Sequence, residues 1–96
     1  MSRATEDAKA KDFLFSVLDT LKERATTYPA YSQEANRVSL IWSTLHPEAP
    51  ITPSQVPAFM MVVKMVRMAE GNSPDSLTDL VGYAARQASM ESLPKP

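Results

Sequence analysis

Apolar residues recur at spacings of three and four along most of this 96-residue chain, which is the period of an amphipathic α-helix. No segment alternates with the two-residue period of a half-buried strand. The first such stretch runs from about Glu6 to Thr26. Its apolar stripe consists of Phe13, Leu14, Val17, Leu18 and Leu21. The spacing therefore predicts an all-α fold that begins with a long helix.

Prolines and a glycine divide the rest of the chain into three further helices. Pro29 ends the first helix, and the second begins near Ser32 or Gln33. The capping box Thr52-Pro-Ser-Gln55 marks the start of the third helix, which runs to about Glu70. The stripe of the second helix consists of Ala35, Val38, Ile41, Trp42 and Leu45.

The boundaries of the third and fourth helices carry three further signals. Pro57 predicts a kink or a loosened first turn in the third helix. Gly71-Asn72 suits a left-handed end. Ser73 and Pro74 then suit the cap and first position of a fourth helix that ends near Ser92. Its buried stripe is predicted to be Leu77, Leu80, Val81, Ala84 and Ala88.

The connections between these segments are short, which favours helices that are antiparallel neighbours. We therefore predict a compact bundle of four roughly antiparallel helices. Residues 1–93 form a single domain in this prediction, and residues 94–96 form a frayed tail. The longest apolar run, Ala58 to Val63, is far shorter than the roughly 20 residues that a membrane-spanning helix needs.

Composition excludes several classes of function. A formal net charge of −1 argues against general nucleic-acid binding. The chain has no cysteine, and its single histidine, His46, stands beside a proline in a predicted loop, so neither a thiolate nor a histidine metal site is expected. The N-terminus has no apolar segment typical of a signal peptide. These features favour a cytoplasmic protein.

Two cations stand in the most apolar helix of the chain. Lys64 and Arg67 are surrounded by valines, methionines and a phenylalanine, and a buried cation needs a partner. The first interpretation is that one of them pairs with Asp79 and fixes the helix register. The second is a pocket for a phosphate-bearing ligand, and the third is a patch that recognises a protein. The residues that could share such a site are Glu34, Arg37, Asp75, Asp79 and Tyr83.

Gly82 lies inside the fourth helical segment, where glycine costs about 1 kcal/mol relative to alanine. We therefore expect another backbone or a ligand to approach it closely.

Three stretches resemble a family of small, mostly phage-encoded helical proteins of unknown function. They are ERATTYPAYSQEANRVSLIWSTL, ITPSQVPAFMMVVKMVRMAEG and DSLTDLVGYAARQA, and they extend from Glu23 to Ala88. The chain departs from the family pattern at Ala25, Pro29 and Pro57. The positions that match are Arg24, Tyr28, Asn36, Trp42, Thr52, Pro53, Lys64, Arg67, Asp75, Ser76, Asp79, Gly82 and Tyr83.

This family is similar in helix order to the all-α NTP pyrophosphatases of the MazG type. That likeness implies Mg²⁺ held by carboxylates at Glu-x-x-Glu and Glu-x-x-Asp. The chain lacks this spacing, because Arg37 follows Glu34, Ser73 follows Glu70, and Thr78 follows Asp75 at the third position.

These features favour a non-catalytic phage accessory protein that acts by binding, in the cytoplasm of an infected or lysogenic bacterium. It would inhibit a host or defence protein or hold a nucleotide-type ligand, without a cofactor. The alternative is a divergent Mg-dependent nucleotide pyrophosphohydrolase of MazG type that uses Glu34, Asp75 and Asp79. A homodimer is also expected, with Phe15 as an interface residue because it lies off the main stripe of its helix.

Overall fold

The computed structural model describes residues 2–71 and 75–91. Within these ranges the chain forms four α-helices and no strand, which confirms the all-α, four-helix prediction. A 3₁₀ turn, Pro53–Gln55, precedes the third helix. The helices are α1 (Arg3–Thr27), α2 (Tyr31–Leu45), α3 (Val56–Glu70) and α4 (Ser76–Glu91).

Helix α1 begins at Arg3, a few residues before the predicted start. The hydroxyl of Ser2 accepts a hydrogen bond from the Thr5 backbone N–H at 3.2 Å, so Ser2 caps the helix. The helix ends at Thr27, and the N–H of Tyr28 donates to the carbonyl of Arg24 at 2.9 Å. Tyr28 itself is extended, and the chain turns there into α2.

The segment between α2 and α3 is tied back onto α2 by side chains. The indole N–H of Trp42 donates to the carbonyl of Ala49 at 2.8 Å. The hydroxyl of Ser43 donates to the carbonyl of Ile51 at 3.2 Å and accepts from its N–H at 3.1 Å. These hydrogen bonds pair backbone groups of the loop that would otherwise have to bond to water. They therefore hold the loop against α2 and fix where α3 can start.

Helix α3 has the predicted capping box, but the box closes a 3₁₀ turn rather than the first α-helical turn. Gln55 Oε1 accepts from the Thr52 N–H at 2.8 Å. Pro57 then falls in the first turn of α3, where no N–H is needed, and it is fully buried. The prediction that α3 has a loosened start is therefore confirmed, because the chain enters the helix through a 3₁₀ turn. Gly71 ends α3 with φ of 72°, the left-handed value expected.

Helix α4 begins at Ser76, and the carbonyl of Asp75 accepts from the N–H of Asp79 at 3.0 Å. The predicted left-handed Asn72, the cap Ser73 and Pro74 lie outside the described residues. The predicted helix end near Ser92 and the tail 94–96 lie outside them as well.

Helices α3 and α4 form the most extensive contact of the structure. Helix α1 packs on α4, whereas α2 packs on the 3₁₀ turn and on α3. The whole measures 50 × 30 × 23 Å.

Helix α3 is not covered on all sides, although it is the most apolar helix of the chain. Because α4 is its main neighbour, the side of α3 away from α4 faces solvent, and Phe59, Val62, Met65 and Val66 are exposed there. Among described hydrophobic residues, only Val17, Ala35 and Val56 are buried. Several residues of the predicted buried stripes are instead exposed: Leu14, Leu18, Val38, Ile41, Leu45, Leu77, Ala84 and Ala88.

None of the helices in the described ranges combines the length and the apolar character that a membrane crossing requires.

Candidate functional site

A cleft of about 600 Å³ opens where the end of α1, the start of α2 and the middle of α4 meet. This volume lies within the usual range for small-molecule sites. All three tyrosines of the chain line it, together with four charged residues. These seven residues are Arg24, Tyr28, Tyr31, Glu34, Asp79, Tyr83 and Arg86.

Helical spacing explains why these side chains converge. On α4, Gly82 and Tyr83 follow Asp79 by three and four residues, and Arg86 follows them by four and three, so the four residues share one face. On α1, Arg24 and the capping residue Tyr28 are likewise four apart. Helix periodicity places these side chains on one face of α4 and of α1. The short connection between α1 and α2 brings the start of α2 to the same cleft.

The floor of the cleft contains a carboxylate between two cations. Lys64 Nζ lies 3.0 Å from Asp79 Oδ2, and Arg24 Nη2 lies 3.4 Å from Asp79 Oδ1. Side-chain exposure is 11% for Lys64, 17% for Asp79 and 47% for Arg24. Lys64 is therefore the buried partner that neutralises Asp79. Arg24 makes the longer contact and keeps about half of its side chain open to solvent.

The prediction that one of the two α3 cations pairs with Asp79 is confirmed for Lys64. Arg67 is exposed and forms no ion pair with any residue of the described ranges. The second cation on Asp79 is Arg24, which comes from α1 rather than from α3.

Two tyrosines and an arginine form another part of the cleft lining. The rings of Tyr31 and Tyr83 lie 6.2 Å apart between centroids and are tilted by 60°. The Cζ of Arg86 lies 5.4 Å from the centroid of the Tyr31 ring, a cation–π geometry. Burial, with smaller contributions from Tyr83 and Glu34, raises the pKa of Tyr31 to about 12, although Arg86 acts in the opposite direction. Tyr31 is therefore a neutral hydrogen-bonding group at ordinary pH.

Gly82 lines the cleft without being crowded. A Cβ built on this residue would have no heavy atom within 4 Å, so the expected close approach of another backbone is wrong. The missing side chain leaves open space in the cleft instead.

Three of the residues singled out in the sequence line the cleft: Glu34, Asp79 and Tyr83. Lys64 lies behind Asp79 and acts on the cleft through that carboxylate. The other three are exposed and lie outside the cleft lining: Arg37, Arg67 and Asp75.

Sequence reasoning missed four charged or aromatic residues of the cleft as site candidates. Arg24 and Tyr28 belong to the matched family positions, so that motif could have pointed to them. Arg86 follows Asp79 by seven residues, two turns along the same helix face, which was also a usable signal. Tyr31 had no such signal, because its position depends on the connection between α1 and α2.

The carboxylates of the described residues do not form a metal-binding group. No cluster of three or more His, Cys, Asp or Glu side chains occurs in residues 2–71 and 75–91. Both oxygens of Asp79 already face cations. A hard cation such as Mg²⁺ needs several oxygen ligands, so this donor set does not fit it.

Comparison with known families gives one match. The model of a family described as a domain of unknown function (DUF6378) matches residues 16–91, a span that contains every residue of the cleft. The expectation of a family of unknown function is confirmed. Comparison with curated proteins and with solved structures gave no significant match.

Proposed function

The chain belongs to the DUF6378 family, and we propose that this member holds a nucleotide-type ligand in the cleft without hydrolysing it. The observation that carries the proposal is the presence of two arginines, Arg24 and Arg86, in a cleft that also contains every tyrosine of the chain. Guanidinium groups suit phosphate, and aromatic rings suit a planar base.

The charge arrangement leaves the arginines available for an anion. Lys64 is the closer and more buried partner of Asp79, so Arg24 is not needed to neutralise that carboxylate. Arg86 forms no ion pair with the described carboxylates and lies over the ring of Tyr31. A ligand phosphate can therefore pair with either guanidinium without breaking a strong internal salt bridge.

The aromatic residues supply a surface for the base. Tyr28 is exposed at the rim, whereas Tyr31 and Tyr83 are half-buried inside. Stacking of a base on an aromatic side chain contributes about 1–3 kcal/mol. Glu34 also lines the cleft, and its carboxylate can accept a hydrogen bond from an amino group of a base or a hydroxyl of a ribose.

The donor set favours binding over hydrolysis. A pyrophosphohydrolase of the MazG type would need carboxylates grouped around Mg²⁺, and the described residues contain no such group. Asp79 is committed to Lys64 and Arg24. The same cleft can hold phosphates without activating water for attack on them.

The biological setting of this proposal comes from the family resemblance. It is the cytoplasm of a bacterium that carries the phage or prophage, where nucleotides are abundant. Inhibition of a host or defence protein is the other form of the binding hypothesis. The cleft favours the small ligand, because its charges and rings line a concave surface rather than a flat one.

A binding panel tests the proposal. Ribo- and deoxyribonucleoside triphosphates, nucleosides and inorganic phosphate are titrated into the full chain by calorimetry. We expect nucleotides to bind and nucleosides or phosphate alone to bind more weakly. Arg86→Gln should weaken nucleotide binding about tenfold, the value of one charge-assisted contact. Arg67→Gln is the matched control, because this exposed arginine lies outside the cleft.

Two results would overturn the proposal. One is the absence of binding by every nucleotide in the panel. The other is release of pyrophosphate with Mg²⁺ that disappears in Asp79→Ala, which would establish the hydrolase alternative.

A further inference from the structure

The outer side of α3 is mostly apolar, and its one charge, Glu70, lies at the C-terminal end, four residues after Val66. Ala58, Phe59, Val62, Met65, Val66 and Ala69 lie on this side by their three- and four-residue spacing, and all six are exposed. The outer face of a surface helix is normally polar, and a contiguous apolar face marks an interaction site.

Helix α2 extends this surface. Val38, Ile41 and Leu45 form an exposed stripe at the same three- and four-residue spacing. The ring of Trp42, between Ile41 and Leu45 in sequence, lies 5.2 Å from the ring of Phe59 on α3. The α2 stripe and the outer side of α3 are therefore neighbours, and together we call them the α2/α3 apolar face.

We infer that the α2/α3 apolar face is the interface of a homodimer. The chain exposes 7088 Å², whereas a folded monomer of 10.6 kDa should expose about 5,500 Å². The excess is about 1,600 Å², or twice the roughly 800 Å² that each partner contributes to a standard interface. This excess belongs to the whole chain, in which α1 also exposes Leu14, Phe15 and Leu18, and half of it would equal one partner's share of a standard interface.

The scarcity of buried apolar residues favours a partner that is present whenever the chain is folded. Val17, Ala35 and Val56 are the only buried hydrophobic residues in the described part of the chain. A chain with so small a core needs a partner at all times, and the partner that is always present is another copy of itself. The face is mostly apolar, with Glu70 at one end and Glu34 one turn before Val38, so two copies would meet through apolar side chains, and a net charge of −1 gives little repulsion between them.

The position of the face leaves the cleft open. On α2, Glu34 points into the cleft, and Val38 follows it one turn later in the apolar stripe. The dimer interface therefore begins beside the cleft but does not use its arginines or tyrosines. Dimerisation and ligand binding can be measured separately, so either inference can fail without the other.

Light scattering coupled to size-exclusion chromatography tests this inference on the full chain. We expect a mass of twice 10.6 kDa for the wild type. Ile41→Lys and Val62→Lys place a charge on the face and should raise the dissociation constant at least about 30-fold, the loss typical of an interface hot spot. The matched control is Leu40→Lys. Leu40 is 69% exposed, similar to the 60% of its neighbour Ile41, but it lies off the apolar stripe of α2.

The wild type alone can overturn the inference if the variants fold poorly. A monomeric mass at every concentration would do so, even if that monomer then bound lipid vesicles or another protein. A dimer that survives both lysine substitutions would also contradict it. A second measurement is the melting temperature of the wild type, which should rise with protein concentration if folding and association are linked.

Discussion

Lys64 of α3 and Asp79 of α4 are joined by a salt bridge of 3.0 Å, and it stands within the most extensive helix contact of the protein. Both side chains are largely buried, so water screens their attraction little. Removing one partner leaves the other without its counter-charge in an apolar setting. Loss of one partner should therefore cost more stability than replacement of both, and a substitution at either residue can test this.

Asp79→Asn should lower the free energy of unfolding by about 3 kcal/mol, because Lys64 then stays buried without a carboxylate. Urea denaturation at neutral pH measures this loss. Arg24→Gln is the internal comparison, since its 3.4 Å contact is half-exposed and should cost less than about 1 kcal/mol. Equal losses in the two variants would show that Arg24, and not only Lys64, holds Asp79 in place.

Gly82→Ala should raise the free energy of unfolding by about 1 kcal/mol, because alanine is the better helix former and its Cβ meets no atom within 4 Å. The same methyl group occupies space inside the cleft, so nucleotide affinity should fall. Calorimetric melting and ligand titration on one sample measure both effects. A gain in stability with unchanged affinity would show that the ligand does not reach this part of α4.

Tyr31 makes the fold sensitive to alkaline pH. Its folded-state pKa is about 12 and the ordinary value is 10.0, so the native state holds this proton more tightly than the unfolded state does. The associated stability is complete below pH 10.0 and is lost as the pH rises towards about 12. Denaturation curves across this range should show the decline. Tyr31→Phe has no proton to lose, so a decline of the same size in that variant would contradict the assignment.

Trp42→Ala should cost about 3 kcal/mol, within the range for large aromatic truncations, because the indole is half-buried against Phe59 and His46. Trp42→Phe keeps a ring but removes the N–H that donates to Ala49, and it should cost about 1 kcal/mol. Thermal unfolding followed by circular dichroism gives both values. A cost near zero for the alanine variant would mean that this ring does not anchor the segment between α2 and α3.

The helices could be predicted from sequence because their signals are local. Periodic apolar residues, the Thr52–Gln55 capping box and Gly71 all act within a few positions of the backbone that they shape. The Lys64–Asp79 pair was also accessible, since a cation in an apolar helix requires a carboxylate nearby.

Burial and the full composition of the cleft could not be predicted in the same way. An apolar stripe shows which side of a helix avoids water, but it does not show what covers that side, and Ile41 and Leu45 are exposed in this chain. Arg24 reaches Asp79 across 55 positions of sequence. Such a contact depends on how α1 packs on α4, which no local pattern encodes.

The single tryptophan of the chain also makes this protein its own optical reporter. The ring of Trp42 lies 5.2 Å from that of Phe59, where α2 meets α3, so its emission should shift as that surface loses or gains water. The ring centroids of His46 and Trp42 lie 4.4 Å apart, so the indole reports on both ends of this contact. Association of the chain could thus be followed in dilute solution without attaching a dye.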